Sequence, residues 1–365
     1  MAIGMGGGSD VEHYNRAMDT GFPSSAVLPQ LRKMLLRWFE GNQRDLPWRR
    51  TADPYAIWVS EIMLQQTRVA AVIERYEAFM AALPTVEALA AAEEAQVLAL
   101  WSGLGYYRRA RMQHAAAKVV VSVHGGVMPR TAAALRGLPG VGAYTSAAIA
   151  SIAYGEAVAV VDGNVERVAQ RLAGIGTDEP DEQGRLKRAT NELAARLLDR
   201  ERAGDFNQAM MELGATVCLP RGPKCLSCPL AGQCMTRGEH PVAKRAKMRT
   251  EQTGCALALR SGASETEVLL EKRPASETVM PGMWQLPVLL GGDSGETVMT
   301  VRHAIMQVNY LVRVRSVRPD EVAGLTAIRG ARRWVPLGEL AGLALNGLAR
   351  KVLMQARLLA PRTAG

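Results

Sequence analysis

Two acids and four cysteines carry the residue types and spacing that could do chemistry. Glu61 is the only charge in the run Tyr-Ala-Ile-Trp-Val-Ser-Glu-Ile-Met-Leu, residues 55–64. Set among Ile57, Trp58, Ile62 and Leu64, its carboxyl is expected to be partly desolvated. Desolvation favours the protonated form and suits a general acid; the alternative is a carboxylate on a solvated helix stripe. Asp162 ends a short apolar segment and is delivered, with Gly163 and Asn164, to the start of another helix. Cys218, Cys225, Cys228 and Cys234 fall within 17 residues in the spacing C-x6-C-x2-C-x5-C. Such a cluster points to metal rather than disulfides in a reducing compartment. Spacing alone leaves structural zinc and a 4Fe–4S cluster both open. Cys255 lies apart with no evident role.

These groups need elements to position them. The stretch Leu138–Val168 opens with the turn Leu138-Pro139-Gly140-Val141-Gly142 and continues as an alanine-rich helix over about Ala143–Tyr154. Its glycines allow backbone angles closed to other residues and leave N–H groups free at a helix N-terminus, where a phosphate can be held. An ordinary corner between two helices is the alternative. Upstream, Leu28–Phe39 reads as an amphipathic helix and Gly41–Thr51 as a loop. Within that loop Trp48 stands among Arg44, Leu46, Arg49 and Arg50, either as a stacking surface beside phosphate contacts or as cover for a core edge. Asp53-Pro54 starts the helix that carries Glu61.

Gln65-Gln66-Thr67 interrupts the apolar pattern with side chains that can enter a base stack. Residues 68–100 are expected to form two helices divided near Pro84, and 112–137 another. Between them Trp101–Arg111 is a second glycine turn feeding a basic helix. Tyr106 and Tyr107 beside three arginines fit a wedge with phosphate anchors, or else a buried turn with a solvated basic face. Helices at about 165–173 and 183–200 lead to Phe206–Gly214, where Gln208 offers a donor and an acceptor for a base edge, or a core amide. A basic loop with Arg221 and Lys224 lies between the first two cysteines.

At 365 residues the chain has room for two domains, and its net charge of +9 fits an anionic partner. No stretch has the length of a membrane helix, and the N-terminus lacks the basic flank and apolar core of a signal peptide, so the cytoplasm is the expected compartment. The expected organisation is a flexible tail at 1–27, a mainly helical region at 28–236 with the cysteine motif at about 206–236, a basic linker at 237–252 and an α+β domain at 253–362. The last shows short alternating strands and a late helix near Leu345–Leu358.

Taken together, residues 28–236 resemble the MutY-type adenine DNA glycosylases of the endonuclease III, helix-hairpin-helix superfamily. The resemblance rests on LPWR at 46–49, SEIMLQQT at 60–67, GLGYYRRAR at 103–111, LPGVGAYTSAA at 138–148, VDGNVERV at 161–168, FNQAMMELGA at 206–215 and the cysteine run, in the family's order. It implies a mainly α catalytic region, a helix-hairpin-helix six-helix barrel with an iron–sulfur subdomain, followed by an α+β Nudix-like domain. It implies that the four cysteines hold 4Fe–4S and that Glu61 protonates the adenine leaving group. Asp162 would then stabilise or trap the cationic sugar, with Asn164 and Tyr144 orienting acids and sugar. Arg44, Leu46, Trp48, Arg49 and Gln208 would line the adenine pocket. Gln66 and Tyr106 would enter the duplex, and Leu138, Gly140, Val141, Gly142, Arg221 and Lys224 would hold its backbone.

The implied partner is double-stranded DNA with adenine opposite 8-oxoguanine or guanine, bound by a monomer, nucleoid-associated if the source is bacterial. Endonuclease III-like lyases carry Lys where Tyr144 stands, so this resemblance implies base removal without strand cleavage. The Nudix catalytic box is absent from the C-terminal region, which leaves lesion binding as its expected role. There the family's Phe-Ser-His turn is replaced by Ile305-Met306-Gln307, with Gln307 the residue left to meet the opposite base. Two other readings compete: a pyrimidine-damage glycosylase and AP lyase of the endonuclease III type, and a non-catalytic iron–sulfur DNA-binding protein.

Overall fold

The computed structural model describes residues 26–174, 183–239, 248–277, 279–289, 296–305, 308–325 and 330–360. The expected tail lies almost wholly outside the described residues, as do the middle of the basic linker and both Met306 and Gln307. Eleven described helices come first: α1 (Leu28–Asn42), α2 (Pro54–Leu64), α3 (Val69–Ala82), α4 (Val86–Ala91), α5 (Glu94–Leu100), α6 (Arg108–His124), α7 (Ala132–Leu135), α8 (Ala143–Tyr154), α9 (Gly163–Ala173), α10 (Gln183–Leu197) and α11 (Ala203–Thr216). Seven described strands follow, β1 (Arg249–Ser261), β2 (Thr266–Lys272), β3 (Trp284–Gln285), β4 (Val288–Leu289), β5 (Thr297–Ile305), β6 (Val308–Val317) and β7 (Arg332–Pro336), and then α12 (Gly347–Gln355).

The helical expectations hold with two refinements. Residues 68–100 form three helices rather than two, because the extended backbone at Ala92 and Glu93 separates α4 from α5. Residues 112–137 split as well: α6 ends at Gly125, left-handed at φ 61°, and Thr131 caps the short α7 by accepting from the Ala134 N–H.

By compactness the chain groups into two units, residues 1–61 with 127–244 and residues 62–126 with 245–365. In the first unit, α1 turns Leu28, Leu31, Leu35 and Phe39 to one side, and these pack with Val165, Val168 and Leu172 of α9, Leu193 and Leu197 of α10, and Phe206 and Leu213 of α11. That stripe follows the helical repeat, and each fully buried member contributes roughly 1.5–3 kcal/mol. Two glycines bring α11 close to its neighbours. A Cβ on Gly204 would stand 2.7 Å from the Ser151 carbonyl oxygen, and one on Gly214 would stand 2.6 Å from the Asn164 Cβ.

The segment that delivers Asp162 is pinned by one buried amide. Asn207 Oδ1 accepts from the Val160 N–H at 3.1 Å, while Nδ2 donates to the Val158 carbonyl and to Ser151 Oγ, both at 2.9 Å. Nothing else in the segment is regular structure, so this side chain does the work of a ladder.

In the second unit, Phe79 of α3 meets Trp101 edge-on, and a mixed sheet of order β3-β2-β1-β6-β5 forms the α+β part. β1 and β6 run parallel from Arg249 opposite Val308 to Ala258 opposite Val317, and β1 is antiparallel to β2. Val312 and Val314 of β6 and Val352 and Leu353 of α12 are buried in one core. The helices join that core polar group by polar group. Tyr107 donates to the Leu345 carbonyl at 3.1 Å, and Arg350 Nε donates to Ser102 Oγ at 3.0 Å.

Asn207→Ala removes the brace from 158–160 and leaves the buried Val160 N–H unsatisfied. Thermal unfolding of this variant should show a loss of about 1–3 kcal/mol, and unchanged stability would mean that the segment is held by other contacts.

Candidate active site

Glu61 lies in the last two turns of α2 and is buried, at 5 % exposure. The cause is the apolar run itself: Ile57, Trp58, Val59 and Ile62 around it are buried too. The Tyr144 hydroxyl, from the first turn of α8, donates to Glu61 Oε2 at 2.5 Å. Burial raises the Glu61 pKa to about 7; the Tyr144 hydrogen bond and the Arg49 charge oppose the rise, and the Asp162 charge adds to it. The group is therefore divided between acid and carboxylate near neutral pH, the condition under which a proton donor works best. Tyr144 is itself held well above an ordinary phenol, by burial first and then by Glu61, so it stays a donor.

Asp162 caps α9. Its Oδ1 accepts from the Asn164 and Val165 N–H groups at 2.9 and 2.7 Å, and its Oδ2 accepts from Asn164 Nδ2 at 2.9 Å. The three donors fix the carboxylate's direction at a helix N-terminus, where a negative charge is favoured. Asn164 is held in turn: Arg167 donates to its Oδ1 at 2.9 Å and to the carbonyls of Gly214 and Cys218, both at 2.7 Å. A second carboxylate lies on α11. Glu212 is fully buried and accepts from Arg44 Nε and Nη2, both at 2.7 Å, and from Arg49 Nη2 at 2.8 Å. Burial pushes its pKa up, but the two arginines more than offset that and hold it at about 2.

The residues expected around a substrate base are partly gathered here. Arg44 and Arg49 meet through Glu212, and Gln208 stands one turn before Glu212 on the same side of α11. Among the described residues the half-buried Gln208 amide has no hydrogen-bond partner, so its donor and acceptor are open. Leu46 and Trp48 are instead core residues, at 5 and 7 % exposure, which makes Trp48 a wall rather than an open stacking surface.

The glycine turn divides its labour. Leu138 and Val141 are buried anchors, while Gly140, left-handed at φ 75°, and Gly142 face out. Gly142 offers α8 no side-chain cap, which leaves first-turn N–H groups for an outside acceptor. Gln66 and Tyr106, both in the second unit, are exposed, as are Arg221 and Lys224 in the first.

Cys218, Cys225, Cys228 and Cys234 line one small cavity together with Arg171, Val217 and Pro223. Among the described residues no group of three or more His, Cys, Asp or Glu is placed to hold a single metal ion. Burial, together with the charges of the other three thiols, pushes Cys228 up to about 11, so a thiolate at this position needs a cationic centre to offset it. Arg171 anchors the loop by donating to the Leu219 and Pro220 carbonyls, with Nη1 3.5 Å from Cys218 Sγ. Gln307 lies outside the described residues. Cys255 is buried in the C-terminal core, where burial raises its thiol to about 12.

Glu212, Arg167 and Arg171 were not singled out from the sequence. For Glu212 the cue was present: like Glu61, it is a lone acid in an apolar run. Arg167 and Arg171 carry no such cue, because a helical arginine reads as solvated until its acceptors are known.

The raised Glu61 pKa has a consequence for stability. In the unfolded chain the group ionises near its ordinary 4.5. The folded protein therefore loses stability as pH rises from about 4.5 to about 7, and the loss is complete above that. Glu61→Gln lacks this loss, so its melting temperature relative to the parent should climb between pH 5 and pH 8. A difference independent of pH would show that Glu61 is not held protonated.

Residues 59–194 match the family described as HhH-GPD superfamily base excision DNA repair protein. The chain is 49% identical over 225 residues to the adenine DNA glycosylase of Homo sapiens, a match that covers 59% of this chain and 41% of that protein. It is 45% identical over 198 residues to the adenine DNA glycosylase of Mycolicibacterium smegmatis, covering 54% of this chain and 66% of that one. The match thus spans less than two thirds of the length of these curated relatives. A solved structure of a thermostable thymine-DNA glycosylase superposes with a TM-score of 0.54 at 32% identity, covering 59% of this chain and 98% of that chain. On this likeness the chain belongs to the HhH-GPD superfamily of base excision DNA repair proteins.

Proposed function

We propose that this chain is a monofunctional DNA glycosylase that removes adenine mispaired with 8-oxoguanine or guanine in double-stranded DNA. The observation that carries the reading is the buried Glu61–Tyr144 pair within range of the Asp162 charge. Cleavage of a glycosidic bond needs a proton for the leaving base and a negative charge for the sugar cation. Two carboxylates in different surroundings supply both at one pH. Glu61, whose protonated form burial favours, gives its proton to a ring nitrogen of adenine as the bond to the sugar breaks. Asp162, aimed by the donors of Asn164 and Val165, stabilises or traps the cation until water completes the abasic product. The target nucleotide must leave the stack to reach these groups. Arg44, Arg49 and Gln208 would border the extruded base, and the α8 N-terminus with Gly140 and Gly142 would hold a phosphate.

The donor set at Cys218, Cys225, Cys228 and Cys234 fits a 4Fe–4S cluster, which would act when bound as a rigid crosslink of the 218–234 loop. That loop presents Arg221 and Lys224 to the DNA backbone. The α+β region is read as a Nudix-like domain that meets the opposite base, with Gln307 its candidate contact. A tyrosine at 144 cannot form a Schiff base, which favours base release without strand cleavage.

The 32% identity to a protein named thymine-DNA glycosylase supports a second reading, removal of thymine. Single-turnover assays on duplexes with A opposite 8-oxoguanine, A opposite G, T opposite G, and thymine glycol separate the two. Adenine release should dominate, and both Glu61→Gln and Asp162→Asn should lower it by 100-fold or more. Dominant thymine release would overturn the adenine assignment, and strand nicking as fast as base release would overturn the monofunctional one. The rate should fall as pH rises through about 7, where Glu61 loses its proton.

A further inference from the structure

The two residues read as entering the duplex, Gln66 and Tyr106, share a rare backbone state. Their φ angles are 55° and 46°, in the left-handed region that side chains disfavour. Each sits at the tip of a short turn, the first just after α2 and the second just before α6. Such conformations persist only where surrounding contacts fix them, and one side chain serves both turns.

That side chain is Arg109, from the first turn of α6. Its Nη1 donates to the carbonyls of Ile62 (2.7 Å), Met63 (3.0 Å) and Gln65 (2.6 Å), at the open end of α2. Its Nη2 donates to Thr67 Oγ1 (3.1 Å) and to the carbonyls of Leu104 (3.1 Å) and Gly105 (3.2 Å). The guanidinium lies 5.3 Å from the Trp101 ring centre and 5.6 Å from that of Tyr106. Trp101 closes the second turn by donating to the Gly105 carbonyl at 3.1 Å. Burial lowers the Arg109 pKa to about 10, so it remains a cation at neutral pH. Gln65 and Thr67, on either side of Gln66, are held by the two nitrogens of one planar group. That group also holds Gly105 and lies against the ring of Tyr106.

We infer that Arg109 is a positioning residue that presets Gln66 and Tyr106 in their strained conformations, so that both are ready to enter the base stack without a prior rearrangement. The inference rests on the glycosylase reading above for its substrate and on the bonds of Arg109 for its content. A planar fork is required: a lysine ammonium keeps the charge but offers its donors from a single point, whereas the two guanidinium nitrogens reach both turns at once.

The test is Arg109→Lys, with Arg109→Met as a second variant, each made in the full chain and again in a Gln66→Ala, Tyr106→Ala background. Two duplexes are compared, one with adenine opposite 8-oxoguanine and one with adenine opposite an abasic site, where no partner base must be separated. A 2-aminopurine beside the adenine reports unstacking. On the paired duplex Arg109→Lys should slow adenine release tenfold or more and remove the fluorescence rise. On the abasic duplex the loss should stay under threefold, and in the double-alanine background under twofold. An equal loss on both duplexes, an undiminished loss in the double-alanine background, or no loss at all would overturn the inference. If the parent chain releases no adenine from either duplex, the glycosylase reading falls, and the fluorescence rise still decides the role of Arg109.

Discussion

A carboxyl group taken out of water must be neutral, partnered by charge, or both, and the first unit is arranged around that constraint. Glu61 and Glu212 are both buried acids in apolar runs, yet they end in opposite states. Glu61 meets a phenol hydroxyl and lies within range of another carboxylate, so burial wins and its pKa rises to about 7. Glu212 meets two guanidinium groups, so pairing wins and the proton leaves. The two outcomes are linked through Arg49. Its charge favours the Glu61 carboxylate, but its hydrogen bond goes to Glu212, which leaves Glu61 near neutrality rather than far below it.

Around this pair the helices act as fixed supports for short segments that have little structure of their own. Asn207 substitutes for a ladder along 158–160, Asp162 caps α9 while its charge acts on Glu61, and Gly214 lets α11 pass against Asn164. Arg167 ties Asn164 to the carbonyl of Cys218, and Arg171 ties the same cysteine loop from one turn further along α9. The orientation of Asp162 and the anchoring of the cysteine loop thus depend on one face of one helix.

The second unit follows a different economy. Its sheet core is apolar and regular, and its helices, packed around Phe79 and Trp101, are tied to that part by polar groups that reach over long sequence separations, such as Tyr107 to Leu345 and Arg350 to Ser102. Arg109 is the extreme case: a charge whose hydrogen bonds go to five backbone carbonyls and one hydroxyl rather than to an acid. A guanidinium bonded in this way fixes the shape of two turns at once.

Much of this was legible in the residues alone, for a physical reason in each instance. Glu61 announced itself as a lone acid in an apolar run, the cysteines by spacing, the helix starts by Asp-Pro and by glycine, and the strands by alternation. These signals are local, set by burial period and backbone sterics within about ten residues. The same signal existed for Glu212 but pointed to nothing until Arg44 and Arg49, more than 160 positions away, were seen to bond it. The sequence by itself determined which groups could do chemistry and which elements carry them. Only the tertiary structure decided their state. The proton on Glu61, the ionisation of Glu212, the enclosure of Trp48 and the bonds of Arg109 all depend on groups brought close in space from distant parts of the chain, and on the water those groups exclude.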